Sequence, residues 1–427
     1  MSSNTLTAAE ASGPQKPAAG FEGDRQDNTV GGAVRGYLDK LRGGDLGALP
    51  AVLGIITLGI LFTLLRPGTF LSPINLANLA VQATPIIVLA MGLVFVLLLG
   101  EIDLSAGVVS GVCSAVLAQL LVQGGFGWPV AVLAAIVTGA VIGMFTGSLV
   151  GMIGIPSFVV TLALFLGWQG VTLRLIGQGG TVPVREPVIR ALANENLPLA
   201  VGWALAVLVA VGYAVIELWR WRAKRARDLA HQPLVLVVLR VVLMAVVVLG
   251  VTAILSQDRA LSAAVDLAGI PYAIPLVILL LLVVTFVLSR TTFGRHMYAV
   301  GGNAEAARRA GINVTRIRVL AFVISSSLAA ISGILATSRL SSVTPDAGAG
   351  NTLLYAVGAA VIGGTSLFGG RGRARDALLG GLVIAIIANG LGLLGVAAYL
   401  NFVITGGVLL LAASVDALAR RRAATAR

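Results

Sequence analysis

Between about residue 48 and residue 417, long apolar stretches alternate with short polar connections. The stretches run for about 20 residues, the length a helix needs to cross the hydrocarbon core of a bilayer. They are continuously apolar, which favours helices over the alternating strands of a barrel. The pattern predicts an all-α polytopic membrane protein with ten to twelve transmembrane helices, twelve being preferred. The predicted spans are 48–65, 77–100, 106–122, 129–153, 157–176, 199–217, 234–256, 270–289, 319–338, 353–369, 377–397 and 400–417.

Composition agrees with this class and separates two tails from it. The chain is 57% hydrophobic and 11% charged, whereas soluble domains are about 25% charged. Residues 1–47 are polar and mixed in charge, and no short basic region precedes an early apolar core. We interpret them as a polar cytoplasmic N-terminal tail and not as a signal peptide. Residues 418–427 form a basic cytoplasmic C-terminal tail, so the predicted membrane domain covers 48–417.

The distribution of Lys and Arg predicts the orientation. Four short segments concentrate basic residues, and all four fall on one side of the membrane if both termini are cytoplasmic. The same clustering accounts for the formal net charge of +12. No basic face is interleaved with aromatic residues, so we expect no nucleic-acid partner. The basic residues of the four segments are Arg220, Arg222, Lys224, Arg225 and Arg227; Arg290, Arg295, Arg308, Arg309, Arg316 and Arg318; Arg371, Arg373 and Arg375; and Arg420, Arg421 and Arg422.

Residues that carry enzyme chemistry are scarce. Cys113 is the only cysteine, and the two histidines, His231 and His296, belong to no metal-ligand or triad pattern. No G-x-x-x-x-G-K-[ST] phosphate-binding loop occurs. We therefore predict no catalytic residue, no metal site and no cofactor bound by this chain.

One polar loop, 290–318, carries the most informative motif. Glu305-Ala306-Ala307 is followed by Gly311 four residues after the second Ala. Asn303 is a good N-cap and Gly311 a good C-cap, which predicts a helix of about two turns outside the membrane. A helix this short is unstable alone, so a partner surface should hold it. The alternative is a capped linker helix.

A second polar feature, the sequence Glu101 to Ser105, lies between two apolar runs. Charge deep in lipid is costly, so Glu101 and Asp103 should be neutral, paired or near water. Positions i and i+2 do not share a helix face, and a turn capped by Asp103 and Ser105 is the more natural local structure. Two interpretations stay open: a polar break lining a pathway near the cytoplasmic mouth, or an ordinary turn.

Glycine patterns predict backbone breaks and close helix packing. Gly363, Gly364, Thr365 and Ser366 form a second break, for which a place in the pathway is also predicted. A ridge of glycines spaced four apart lets another helix approach closely, either inside the subunit or at a dimer face. The ridge consists of Gly139, Gly143, Gly147 and Gly151.

Four motifs together resemble the permease subunits of bacterial monosaccharide ABC importers, the family that serves ribose, xylose and arabinose. The resemblance covers about residues 50–417. The motifs are GEIDLSAG (100–107), IPSFVVTLALFLGWQG (155–170), TTFGRHMYAVGGNAEAARRAGINV (291–314) and GGTSLFGGRG (363–372).

The resemblance implies a multi-pass protein of the bacterial inner membrane with a type-II importer-like core of about ten helices. It also implies a permease homodimer, an external sugar-binding protein and cytoplasmic ATPase subunits that bind the ATP and Mg²⁺. The ATPase would dock on the loop containing Gly294, Arg295, Asn303, Glu305, Ala306, Ala307, Arg308 and Gly311.

Two departures bear on the substrate. Glu101 stands where the shorter ribose-type members usually read GGIDLS, and residues 199–267 look like an insertion of two spans around a basic loop. The insertion resembles xylose-type members, so we expect the chain to form the path for a pentose such as D-xylose.

The alternative is an ion-coupled secondary transporter using Glu101 and Asp103, since such proteins often carry intramembrane carboxylates. Collapse of uptake by a protonophore at constant ATP would favour that alternative.

Overall fold

The computed structural model describes residues 47–227, 231–260, 267–397, 399–400 and 402–407, with a few single positions beyond them. Nearly all of the predicted N-terminal tail, the predicted C-terminal tail and half of the predicted span 400–417 lie outside the described residues. The rest of the chain is overwhelmingly helical, as the continuous apolar runs predict.

The described part of the chain forms fourteen named α-helices. They are α1 (Leu49–Leu65), α2 (Pro73–Leu98), α3 (Ala106–Val122), α4 (Trp128–Ser148), α5 (Ser157–Ile176), α6 (Pro187–Asn194), α7 (Leu199–Arg225), α8 (Leu234–Leu255), α9 (Ala273–Arg290), α10 (Thr292–Gly302), α11 (Ala304–Arg309), α12 (Val314–Leu340), α13 (Thr352–Gly363) and α14 (Ala374–Leu393). A π-helical turn, Leu149–Ile153, extends α4, and two short strands are β1 (Val182–Pro183) and β2 (Ser342–Val343).

The prediction of a polytopic helical membrane protein is confirmed. Among the described residues, eight helices are long and apolar enough to cross a membrane, and α1, α3 and α13 are shorter apolar helices. The span predicted at 353–369 was too long, because α13 ends at Gly363 and Gly364 takes a left-handed conformation with φ +117°. The span predicted from 319 begins earlier, at Val314, because the Asn313 side chain accepts a hydrogen bond from the Arg316 amide.

The core is built around α2. It is apolar on every side, and within it residues 87–98 are buried without interruption, as expected of a helix surrounded by protein. Helices α9, α12, α13 and α14 pack against it. Helix α2 is therefore the axis of the molecule and not a lipid-facing span.

The glycine ridge of α4 lies against α12. A Cβ atom added at Gly143 would lie 2.7 Å from the Val323 Cα atom, and one added at Gly147 would lie 2.8 Å from the Val319 Cα atom. Backbones this close leave no room for a side chain. In this structure the ridge therefore forms a packing contact within the subunit.

Helices α7 and α8 form a peripheral hairpin. They pack on each other, but only 17% of the apolar window of α7 and 6% of that of α8 are buried. The Arg240 guanidinium reaches the Gln232 side chain at 3.1 Å and the Glu217 carboxylate at 3.6 Å, joining the two helices. These two helices are the ones predicted for the 199–267 insertion.

The connections divide between two ends of the bundle. The strand end carries β1 and β2, which pair antiparallel with Val182 opposite Val343, and the bridge from Asn196 to Pro271. The basic end carries α10, α11 and the loop 364–373. Because α12 runs without interruption from one end to the other, it connects them directly.

We predict that Gly143→Ala destabilises the protein, since the new methyl group must displace the α12 backbone; overpacking of this kind costs about 1–3 kcal/mol. Gly250→Ala in α8 is the matched control, because a Cβ there meets nothing within 4 Å and Ala favours helix over Gly. Thermal unfolding of the detergent-solubilised protein measures both. Equal melting temperatures for the two variants would contradict the packing.

Candidate functional site

Helix α11 is a short, exposed and charged helix at the basic end. The Asn303 Oδ1 atom accepts a hydrogen bond from the Ala306 amide at 2.9 Å, which starts the helix. Gly311, with φ +83°, follows its end. Glu305 pairs with Arg308 at 2.9 Å and with Arg309 at 3.2 Å, and all three side chains are more than half exposed.

One residue anchors α11 to the protein. Ala307 is 5% exposed, whereas its neighbours on both sides face solvent. The helix has six residues, close to the two turns predicted, and a helix of this length gains little stability from its own hydrogen bonds. Its exposed face is therefore free to contact another protein.

The preceding helix, α10, lies flat against the bundle. The Thr291 hydroxyl accepts a hydrogen bond from the Gly294 amide and caps the helix. Gly294, Met297 and Val300 are buried, whereas Arg295 is exposed. Sequence reasoning treated this stretch only as part of a polar loop, although its apolar positions three apart are a helical signal.

The break after α2 is a tight turn, as predicted. Asp103 is 2% exposed, and its Oδ1 atom accepts hydrogen bonds from the Ser105 amide at 2.9 Å and the Ser105 hydroxyl at 2.7 Å. Burial raises the pKa of Asp103 above its ordinary value, and the hydrogen bonds from Ser105 oppose that shift. Asp103 therefore closes the turn just before α3, with Ser105 as the donor, and α3 itself begins without a side-chain cap.

Glu101 forms an ion pair with a residue of α12. Its Oε1 atom lies 3.0 Å from Arg318 Nε, and the two side chains are 14% and 28% exposed. The Arg318 N–H is not aligned for a hydrogen bond, so the contact is electrostatic. It links the break to the first turns of the helix that follows α11.

The loop 364–373 packs into the same place. The Tyr298 hydroxyl donates to the Gly372 carbonyl at 2.6 Å, and burial raises the pKa of Tyr298. Thr365 and Ser366 are buried. Gly363 lies so close to the backbone of Asp376 that no side chain fits there.

Backbone contacts bring α10, the break and this loop together. The Gly370 amide donates to the Leu98 carbonyl at 2.9 Å. A Cβ atom on Gly301, at the end of α10, would collide with that carbonyl, and one on Gly100 would lie 3.4 Å from the Phe368 carbonyl oxygen. The end of α10 is therefore in direct backbone contact with the end of α2.

The strand end contains a cavity of about 370 Å³ lined by both apolar and polar residues. Its walls come from α2, α3, α12 and the segment 344–352. That segment turns back into the protein, because Gly107 in the first turn of α3 lies so close that a Cβ atom would be 2.6 Å from the Gly348 carbonyl oxygen. The polar side chains of the lining are Gln82, Ser110, Ser114, Ser332, Thr337, Arg339, Ser342, Thr344, Asp346, Thr352 and Tyr355.

The polar groups of the cavity wall are mostly neutral hydrogen-bonding groups. Ser110 and Ser114 donate to carbonyls of their own helix, and Ser332 donates to the Pro85 carbonyl of α2. Their oxygens keep acceptor capacity. Formal charge in the lining comes from Arg339, at the end of α12, and from Asp346. Such a wall suits a neutral molecule rich in hydroxyl groups.

The residues singled out from the sequence fall into two places. The docking residues and the proposed pathway residues lie together at the basic end, and the glycine ridge lies along α12. The cavity is lined by other residues. A signal for it existed in Ser110 and Ser114, which share a helix face, but hydroxyls in membrane helices commonly bond to their own backbone.

A bundle of membrane-crossing helices around a cavity, with an exposed charged helix at the opposite end, is the architecture of a multi-pass membrane transport component. The chain belongs to the family described as branched-chain amino acid transport system / permease component, which matches residues 75–413. The predicted membership among the permease subunits of monosaccharide ABC importers is confirmed. The predicted location, a multi-pass protein of the bacterial inner membrane, is confirmed as well.

Three relatives illustrate the similarity. The chain is 35% identical over 390 residues to the xylose transport system permease protein of Escherichia coli, covering 91% of this chain and 96% of that protein. It is 33% identical over 377 residues to the protein of the same name in Haemophilus influenzae, covering 88% and 98%. It is 30% identical over 366 residues to the ribose import permease protein of Escherichia coli, covering 86% and 92%. No solved structure matches the chain.

The ion-coupled alternative is not favoured by these observations. Glu101 is paired with Arg318, and Asp103 accepts the hydrogen bonds of Ser105. Neither carboxylate lines the cavity.

We predict that Glu101→Gln lowers the free energy of unfolding by about 1–3 kcal/mol, because it leaves the mostly buried Arg318 charge without a partner. Glu305→Gln is the matched control; it breaks exposed ion pairs, which are worth less than about 1 kcal/mol. Thermal unfolding of the purified chain measures both. A Glu101→Gln variant as stable as Glu305→Gln would show that the pair with Arg318 is not structural.

Proposed function

We propose that this chain is the permease subunit of an ATP-driven importer and forms the translocation path for a monosaccharide, with a pentose such as D-xylose as its substrate. The names of the relatives support the substrate class, since two are xylose permeases and one is a ribose permease. The ATP and Mg²⁺ belong to a separate ATPase, and this chain binds neither.

The observation that carries the proposal is the placement of cavity and docking helix at opposite ends. Positive-inside orientation puts α10 and α11 in the cytoplasm. The cavity at the strand end then faces the exterior, where a sugar-binding protein delivers its cargo. Energy enters at one end of the molecule and substrate at the other.

The cavity fits the cargo in size and chemistry. Its volume of about 370 Å³ lies in the range of small-ligand pockets, roughly 300–1,000 Å³. Sugar hydroxyls both donate and accept hydrogen bonds, and Gln82, Thr337 and Tyr355 present groups of both kinds. A transport path needs binding that is weak enough for release, and a few neutral partners supply that.

Two connections carry motion from the docking helix to the cavity. Helix α12 begins at Val314, just after α11, and its far end lines the cavity. Helix α2 ends at the Leu98 carbonyl held by Gly370 and continues to Gln82 in the cavity wall. A shift of α11 by an attached ATPase therefore reaches the cavity through two packed helices. A homodimer of such chains would present two docking helices to two ATPase subunits.

Glu305→Lys tests the docking role. Reversing this charge destroys both ion pairs of α11 and places a cation in its first turn, where the helix dipole disfavours it. We expect ATP-dependent sugar uptake in proteoliposomes containing the ATPase and the binding protein to fall at least tenfold, with loss of ATPase co-purification.

The control for charge is Glu22→Lys in the N-terminal segment, which changes the net charge equally and should leave uptake intact. Membrane insertion of both variants is checked by their yield in the membrane fraction. Normal uptake and normal ATPase capture by Glu305→Lys would reject the proposal.

Gln82→Leu tests the cavity separately. Loss of one substrate hydrogen bond costs about 1 kcal/mol or more, and we expect uptake of D-xylose to fall about fivefold to tenfold with ATPase capture unchanged. Gln169→Leu, at a half-buried position of α5 outside the cavity lining, is the matched control. Equal uptake by both variants would show that Gln82 is not on the path.

A further inference from the structure

The cytoplasmic end of the α7–α8 hairpin is a charged surface that the transport function leaves unexplained. It contains Arg220, Arg222, Lys224, Arg225 and Arg227, while the whole stretch 217–228 holds two acidic residues, Glu217 and Asp228. Glu217 is engaged by Arg220 and Arg240, and Asp228 lies outside the described residues. The segment therefore keeps a net positive charge even when the negative charge of Asp228 is counted.

Helix α7 places this charge at the depth of lipid headgroups. Its 27 residues span about 40 Å at 1.5 Å per residue, while the hydrocarbon core is about 30 Å thick. Since α7 begins at Leu199 on the strand end, roughly its last seven residues extend past the hydrocarbon. These residues run from Trp219 to Arg225 and include the exposed Arg222 and Lys224.

Little protein covers the hairpin in the described part of the subunit. The burial of α7 and α8 is the lowest among the candidate spans. Trp219 is 69% exposed, and tryptophan side chains concentrate at the level of the headgroups. An exposed indole beside an exposed basic cluster is the combination expected where a helix meets a charged membrane surface.

The surface is also held in shape by contacts within the hairpin. The Trp221 indole nitrogen donates to the Gln232 carbonyl at 3.0 Å across the connection. The His231 ring packs edge-on to Trp221 with centroids 5.9 Å apart, and the Arg225 guanidinium lies 5.2 Å above the same ring. The base of the cluster is thus ordered by its own residues, while Arg222, Lys224 and Arg227 extend outward.

We propose that this surface, formed by Trp219, Arg222, Lys224, Arg225 and Arg227, binds the headgroups of anionic phospholipids in the cytoplasmic leaflet. Basic clusters next to a transmembrane helix attract anionic lipid with about 1 kcal/mol per Lys or Arg near the surface. The hairpin so held anchors the periphery of the subunit while the core helices move. The proposal stands independently of which sugar the permease carries.

The experiment is native mass spectrometry of the purified full chain titrated with phosphatidylglycerol or with phosphatidylcholine. The wild-type chain should bind the anionic lipid several-fold more tightly, and added salt should reduce the difference. The triple variant Arg222→Gln, Lys224→Gln and Arg227→Gln keeps the Arg225–Trp221 and Arg220–Glu217 contacts. It should lose about fivefold in relative affinity for each residue changed.

Two further variants are controls. The first removes the same amount of charge at another place in the chain, by combining Arg420→Gln, Arg421→Gln and Arg422→Gln. It should keep the preference for phosphatidylglycerol over phosphatidylcholine. Replacing Arg222 and Arg227 by Lys keeps the positive charge and should also keep the preference for phosphatidylglycerol. This variant remains informative if the neutral variant fails to insert into the membrane.

Several outcomes would overturn the proposal. The proposal fails if the wild-type chain shows no preference for phosphatidylglycerol. It also fails if the triple variant retains that preference. Inorganic phosphate competing as effectively as the lipid would identify a free-anion site instead. Unchanged lipid binding with lost ATPase capture in the triple variant would make the surface a protein contact.

Discussion

The structure depends on one constraint: inside a membrane, every backbone N–H and C=O group needs a partner from the protein or from enclosed water. Helices meet it internally, so each departure from helix must be covered. Three of the non-helical segments that join the described helices are 99–105, 344–351 and 364–373. All three lie against the central helices, where α2, α3 and α10 supply the covering contacts.

The way each break is covered determines what it can do. The breaks at 99–105 and 364–373 are closed by backbone contacts at Leu98, Gly100 and Gly370, leaving no space between them. The break at 344–351 is covered on one side by α3 and faces a cavity on the other. Tight closure at one end and open space at the other give the subunit two unlike faces. One face suits transmission of force and the other suits a small polar solute.

Much of the basic end could be predicted from the sequence, because its signals are local. Asn303 and Gly311 cap a short helix by rules that involve only neighbouring residues, and the turn at Asp103 follows from the cost of charge in lipid. The cavity could not be predicted in the same way. It arises where Gly107 and Gly348, far apart in the sequence, come into contact. The pairing of Glu101 with Arg318 is likewise a tertiary contact with no local signal.

The difference between the periphery and the core has the same physical origin. Helices α7 and α8 are as apolar as α2, yet protein covers little of them in the described subunit while α2 is mostly buried. Hydropathy alone does not separate the two situations, since lipid and protein interior are both apolar. Small residues do: the ridge from Gly139 to Gly151 lets α4 approach α12 closely, whereas a Cβ on Gly212 or Gly250 in the hairpin meets nothing within 4 Å.

The most direct test of the two-faced arrangement is the accessibility of single cysteines in a Cys113→Ala background. Ala306→Cys lies on α11, and Gln257→Cys lies in an exposed loop of the strand end. A membrane-impermeant thiol reagent should label position 306 only from the cytoplasmic side, and the bound ATPase should protect it; position 257 should be labelled only from outside. Labelling of both positions from the same side, or of position 306 equally with and without the ATPase, would contradict the account.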